Sequence, residues 1–172
     1  MTTSRKQPDR THLLEKSRIL LGWPLVQRAL AGYTCSPATS NLCSLLVPAD
    51  DLESANTTLN TTAEMVEVLI SGNPFPINPF NDVEPTLSEA REQKILEPEQ
   101  CLDVLKLLRV VRDVHRVLGK LADSPLLKIL GGRLDPLPSF LKELGRCIDD
   151  EGEIKENASP ELKQAIRDVW AA

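Results

Sequence analysis

The chain has 172 residues, 41% hydrophobic and 26% charged, with a formal net charge of −5. These values suit one soluble globular domain or two small ones and argue against a wholly basic nucleic-acid-binding module. Aromatic residues are only 3%, so the core is expected to be aliphatic, which suits helices. No run of about 18 apolar residues is present, so no membrane span is expected. The polar, basic opening lacks the apolar stretch of a secretory signal, which points to the cytoplasm.

Taken in chain order, prolines and caps divide the sequence into helices. Residues 1–10 read as a disordered tail. Leu13, Leu14, Ile19, Leu20 and Leu21 predict a first helix ending at Gly22. Trp23-Pro24 restarts one, with Pro24 in the first turn and Gly32 at the end. Ser36-Pro37 opens a third, closed by Pro48. Asp50 or Asp51 caps a helix running to about Ile70. Its Leu52, Ala55, Leu59, Ala63, Val66 and Ile70 share roughly 80° of arc, which predicts a buried seam. The Thr and Asn on its other side are weak helix formers, and a strand competes for part of this stretch. Ser71 to Pro85 reads as a long loop pinned by Phe75, Ile77 and Phe80. A short helix with Leu87 and Ala90 on one side follows. Pro98 opens the longest helix, to about Leu121. Ser124-Pro125 starts a short helix that stops at Gly131-Gly132, and Leu137 to Leu144 form another. Ile148 and Ile154 flank an acidic turn with Gly152, which predicts a small β-hairpin near residues 147–156. Ser159-Pro160 opens a last amphipathic helix with no stop signal before Ala172, expected to continue in the natural protein. The predicted fold class is all-α: a multi-helix bundle with that hairpin. Its domains are the tail, a helical core over 11–158 and the start of a lever helix over 159–172.

Charge is segregated along the chain. Residues 1–28 carry six basic and two acidic groups, 29–100 two and eleven, 101–146 nine and five, and 147–172 three and seven. The sharpest pattern lies on the longest helix, where Arg109, Arg112, Arg116 and Lys120 fall within roughly 80° of one another. Such a stripe could contact nucleic-acid phosphates or an acidic partner, or could be a solvated face with Asp113 beside it. None of the aromatic residues lies on this helix, so base stacking finds little support. His115 sits on the apolar side of the same helix, and a packed, hydrogen-bonded histidine accounts for it better than a base or ligand.

The four cysteines, Cys35, Cys43, Cys101 and Cys147, show no CxxC spacing, and His12 and His115 are the only histidines. No metal site is therefore expected, and the thiols read as buried and reduced. Asp149-Asp150-Glu151-Gly152-Glu153 lacks the alternating ligands of a calcium loop and reads as an exposed turn. Gly119-Lys120 and Gly131-Gly132 do not complete a phosphate-loop motif. No catalytic, cofactor-binding or metal residue is assigned.

The ordered elements resemble a known family. The blocks are Leu20-Leu21-Gly22-Trp23-Pro24-Leu25-Val26, Leu30-Ala31-Gly32-Tyr33-Thr34-Cys35-Ser36-Pro37, and Leu46-Val47-Pro48 with Asp51-Leu52-Glu53. Downstream lie Asn81-Asp82-Val83-Glu84-Pro85 and Ile95-Leu96-Glu97-Pro98-Glu99-Gln100. The last is Cys147-Ile148-Asp149-Asp150-Glu151-Gly152-Glu153-Ile154 with Ala158-Ser159-Pro160-Glu161-Leu162. In this order and spacing the chain resembles the N-terminal core and lever region of the second MutS subfamily, MutS-like ATPases with a C-terminal Smr domain.

The resemblance implies a noncatalytic, all-helical scaffold leading to a clamp, an ATPase domain and the Smr nuclease. It implies ATP and magnesium for the full-length family but none in this chain, whose residues match neither the phosphate loop nor the nuclease motif. For the full-length protein it implies a homodimer that binds branched DNA to restrain recombination and acts on stalled or collided ribosomes. The alternative is a standalone helical adaptor that holds an acidic partner or nucleic acid through Arg109, Arg112, Arg116 and Lys120.

Overall fold

The computed structural model describes residues 10–72 and 74–170. The expected tail over 1–10 lies, except for Arg10, outside the described residues. Among the described residues the secondary structure is nine α-helices and no strand, so the chain is all-α. No described helix is long and apolar enough to cross a membrane. The chain divides into two units, Met1–Val47 and Pro48–Ala172.

The first unit contains α1 (Arg10–Leu20), α2 (Trp23–Ala31) and α3 (Pro37–Leu45). Gly22, at φ 76°, turns the chain between α1 and α2 in the left-handed region that glycine adopts without strain. Ser36 caps α3, its hydroxyl accepting from the Thr39 N–H at 3.1 Å. Helix α2 is tied to the end of α3 by side-chain donors. Trp23 Nε1 donates to the Leu46 carbonyl at 2.8 Å, and Gln27 Nε2 to those of Ser44 and Leu46 at 2.8 and 2.9 Å. These bonds satisfy carbonyls that a helix C-terminus leaves without partners. Among the described residues of this unit only Ser36 and Cys43 are buried.

The second unit contains α4 (Leu52–Ile70), α5 (Glu84–Arg91), α6 (Pro98–Lys120), α7 (Pro125–Gly132), α8 (Pro138–Cys147) and α9 (Pro160–Trp170). Helix α6 is its axis. Pro98 sits in the first turn, and Glu97 and Gln100 form a capping box. One apolar cluster joins Val68 of α4, Leu118 of α6 and Leu127 of α7, with Met65, Phe75, Val114, Leu121 and Leu134 around it. A second joins Leu102 and Leu105 of α6 to Ile148, with Leu141 and Leu144 of α8. Among the described residues Leu105, at 1% exposure, is the most buried large side chain.

Helix α7 is bound to its neighbours at both ends. At its start, the Glu64 carboxylate of α4 accepts from the Leu126 and Leu127 N–H groups at 3.2 and 2.9 Å. Glu64 thus performs the cap that the Ser124 side chain does not supply. At its end, Gly131 lets α7 approach α6 so closely that a Cβ there would stand 2.7 Å from Leu118 Cβ.

Four expectations are corrected: the α4 seam, the hairpin, the thiols and the pinning of the loop before α5. The seam of α4 is not buried: Leu52, Leu59, Ala63, Val66 and Ile70 are exposed and Ala55 is half-buried. The helix turns the opposite face inward, with Glu64, Met65 and Val68, because the α7 cap and the Val68–Leu118–Leu127 cluster fix its rotation. The hairpin over 147–156 is reduced to one antiparallel bridge, Ile148 to Ile154. Helix α8 ends at Cys147 and the Lys155–Ala158 turn follows at once, leaving no length for a ladder. Of the thiols, all free, Cys43 is buried, Cys101 and Cys147 are half-buried and Cys35 is exposed. On α5 the buried residue is Thr86, while Leu87 is exposed. In the loop before it, Phe75 packs on the core and Phe80 is half-buried, but Ile77 is exposed.

Candidate functional site

The leucines at 102, 105 and 108 turn one side of α6 to the core. By the helical period Arg109, Arg112, Arg116 and Lys120 share one stripe, on the same side of α6 as Leu102 and Leu105 and continuing from them toward the helix C-terminus. Arg109 reaches the acidic turn after α8, its Nη1 donating to Asp150 Oδ1 at 2.6 Å. Arg112 holds Asp113 with two bonds, Nε to Oδ1 at 3.1 Å and Nη2 to Oδ2 at 3.2 Å. Arg116 Nη2 donates to the same Asp113 Oδ1 at 3.1 Å. Lys120, exposed in the last turn of α6, has no ion pair among the described residues. Three of the four cations thus already face carboxylates.

The carboxylates register this pairing. The hydrogen bond from Arg112, then the charges of Arg112 and Arg116, hold Asp113 below the ordinary aspartate value. The hydrogen bond and charge of Arg109 do the same for Asp150. All these groups are solvent-accessible, so each pair contributes little to stability.

The structure brings Arg109 and Arg112 to one cleft of about 380 Å³ between α6 and α8. Leu105, Leu141, Pro136 and Pro138 supply apolar lining, and Lys142 of α8 adds a cation at its edge. Arg116 joins the group only through Asp113, and Lys120 does not line the cleft. Sequence reasoning missed Lys142 and Asp150 as members of this surface. Lys142 carried a faint signal: it stands four residues past Pro138, on the first full turn of α8. Asp150 carried none, since it is 41 residues from Arg109.

His115 is half-buried, and its Nδ1 donates to the Gly131 carbonyl at 3.0 Å. It joins α6 to α7 as a packed, hydrogen-bonded side chain. Gly119 lies within α6, and Gly131 and Gly132 lie within α7. The acidic turn is organised internally, with Asp149 Oδ1 accepting from the Glu151 and Glu153 N–H groups at 3.0 and 2.7 Å.

No protein-family profile matches the chain. Curated proteins do. An endonuclease MutS2 of Clostridium botulinum, strain Eklund 17B, is 32% identical over 159 residues, 90% of this chain and 20% of the relative. The endonuclease MutS2 of Clostridium botulinum strain Alaska E43 matches with the same identity and coverage. That of Bacillus cereus strain B4264 is 25% identical over 155 residues, 88% of this chain and 20% of the relative. The chain thus spans about a fifth of the length of the curated relatives it matches. Over 88–90% of its length, this helical chain is a MutS2-related sequence.

Proposed function

We propose that the chain serves as a noncatalytic core and lever scaffold of a MutS-like ATPase. Its role is to relay closure, driven by ATP elsewhere in the whole protein, to a DNA-gripping clamp. The whole protein is then a homodimer that engages branched DNA or stalled ribosomes. The observation that carries this reading is the 24–32% identity to endonuclease MutS2 along nearly the whole chain. The helical architecture and the relays between helices, Glu64 to α7 and His115 to Gly131, suit a part that transmits position rather than performs chemistry.

The adaptor alternative rests on Arg109, Arg112, Arg116 and Lys120. It is the weaker reading, because three of these cations already pair with Asp113 and Asp150. Two measurements test the proposal. An immunoblot of source cells with an antibody to this chain is expected to show a band several times its 19.0 kDa mass. A band at that mass overturns the scaffold role and makes the stripe the first place to mutate. The purified 172-residue chain is expected not to hydrolyse ATP, and hydrolysis abolished by a point variant of the chain overturns the noncatalytic role.

A further inference from the structure

Helix α9 leaves the second unit with little packing to steady it. None of its described residues is buried, and no other described helix packs broadly on it. Leu162 and Ile166 are half-buried, whereas Val169 and Trp170 are 76% and 85% exposed. Its direction is therefore set at its root, in the chain between Cys147 and Ser159.

That root is clasped from both sides. The last turn of α8 leaves the Gly145 and Cys147 carbonyls without partners inside the helix. Lys155 supplies both: its main-chain N–H donates to the Cys147 carbonyl at 2.8 Å and its Nζ to that of Gly145 at 2.7 Å. An ammonium at this end of a helix also suits the dipole. In return Arg146, in the same turn of α8, donates from Nη1 to the Asn157 and Ala158 carbonyls at 3.0 and 2.8 Å. Those carbonyls immediately precede Ser159, whose Oγ accepts from the Leu162 N–H at 3.1 Å and opens α9. Between the two halves of the clasp, the Asp149 N–H donates to the Glu153 carbonyl at 3.0 Å and Ile148 bridges to Ile154. Ile148 is itself buried in the second apolar cluster, so the clasp is anchored to α6.

The donors suit a lock rather than a hinge. Both side-chain donors are charged, and charged donors bond carbonyls more strongly than neutral ones. A planar guanidinium that holds two successive carbonyls fixes their angle as well as their distance. The main chain is stiff at the same place. Residues 153–160 contain no glycine, and Pro160 fixes its own φ and restricts Ser159.

We propose that Arg146 and Lys155 are positioning residues that lock α9 to α8, so that α9 moves with α8 and α6 as one rigid body. The lock itself rests on contacts within this chain. Its meaning, that a displacement of the lever reaches the α6–α8 core without loss at the joint, rests on the scaffold reading above.

Residual dipolar couplings of the isotope-labelled 172-residue chain test it. In wild type the N–H vectors of α6, α8 and residues 161–166 are expected to fit one alignment tensor, with order parameters of about 0.85 throughout. In Arg146→Ala those of 161–166 are expected to fall below about 0.6, while α6 and α8 keep theirs. The Cα shifts of 161–166 are expected to stay helical, so that direction is lost and the helix is not. Lys155→Met, which keeps the main-chain donor and removes the bond to Gly145, is a second and milder probe expected to lower the same values. Glu143→Ala is the control: it removes the ion pair to Arg146 within α8 but neither bond to the 157 and 158 carbonyls, so α9 is expected to stay ordered. An α9 already averaged in wild type overturns the proposal, as does an α9 that stays ordered in Arg146→Ala. Equal loss of order in Glu143→Ala and Arg146→Ala overturns it too, since the carbonyl contacts would then not be what holds the helix. None of these failures touches the scaffold reading, which the mass of the native polypeptide and the assay for ATP hydrolysis decide.

Discussion

Gly131→Ala sets two effects of similar size against each other. Removing a helical glycine gains about 1 kcal/mol of helix propensity. The new methyl would stand 2.7 Å from Leu118 Cβ and 3.4 Å from its Cδ1. Carbon atoms in ordinary contact sit about 3.5–4.0 Å apart, so the helices must separate by roughly 1 Å. Leu118 cannot swing aside, because the clash is with its Cβ, which its backbone fixes. Helix α7 must move instead, and it is held by Glu64 at its start and by His115 at Gly131. Overpacking of this kind costs about 1–3 kcal/mol. The net expectation is a loss of about 1 kcal/mol, read as a fall in Tm of roughly 2–4 °C by circular dichroism at 222 nm. Gly119→Ala is the matched control: it is helical and a Cβ there meets nothing within 4 Å. It is expected to raise stability by up to about 1 kcal/mol. A Gly131→Ala chain as stable as wild type or more so would refute the reasoning, because propensity would then have outweighed the contact.

Glu64→Ala strips the N–H groups of Leu126 and Leu127 of their acceptor and is expected to cost about 0.5–2 kcal/mol by urea denaturation, with Glu64→Gln costing less. Leu105→Ala empties the centre of the second apolar cluster and is expected to cost about 2–5 kcal/mol in the same assay. Asp113 and Asp150 are expected to titrate below the ordinary aspartate value of 3.8 by carboxyl-carbon NMR, and Arg112→Ala is expected to move Asp113 back toward it. Because both folded values are lowered, the stabilisation is fully present above about pH 4 and fades as pH falls through them. A melting temperature that rises between pH 4 and pH 2.5 would contradict that sign.

The helix starts were legible because their signals are local. Ser36-Pro37, Pro98, Ser124-Pro125 and Ser159-Pro160 each stand within one turn of the helix they open. The rotation of α4 was not legible. Its sequence carries an apolar seam on one side and Met65 and Val68 on the other, and periodicity ranks stripes by hydrophobicity without saying what covers them. The stripe on α6 was found by its period. Its neutralisation was half visible, since Asp113 lies beside it but Asp150 arrives from 41 residues away. The bridge between Ile148 and Ile154 was read as longer than it is, because the turn chemistry of Asp149 and Gly152 looks the same whether or not strands follow.

The Glu64 cap has a consequence for the order in which the chain acquires structure. Helix α7 has eight residues, too few to persist by itself in water. The group that caps it lies 62 and 63 residues earlier in sequence. Closing so long a loop precedes any gain from the cap, so α7 is a late arrival in folding and α4 must already be helical to receive it. During synthesis α4 emerges well before α7 has been made, and its Val68 face waits uncovered until residue 127 is made. In that interval, set by translation speed rather than by stability, the chain is open to misassembly.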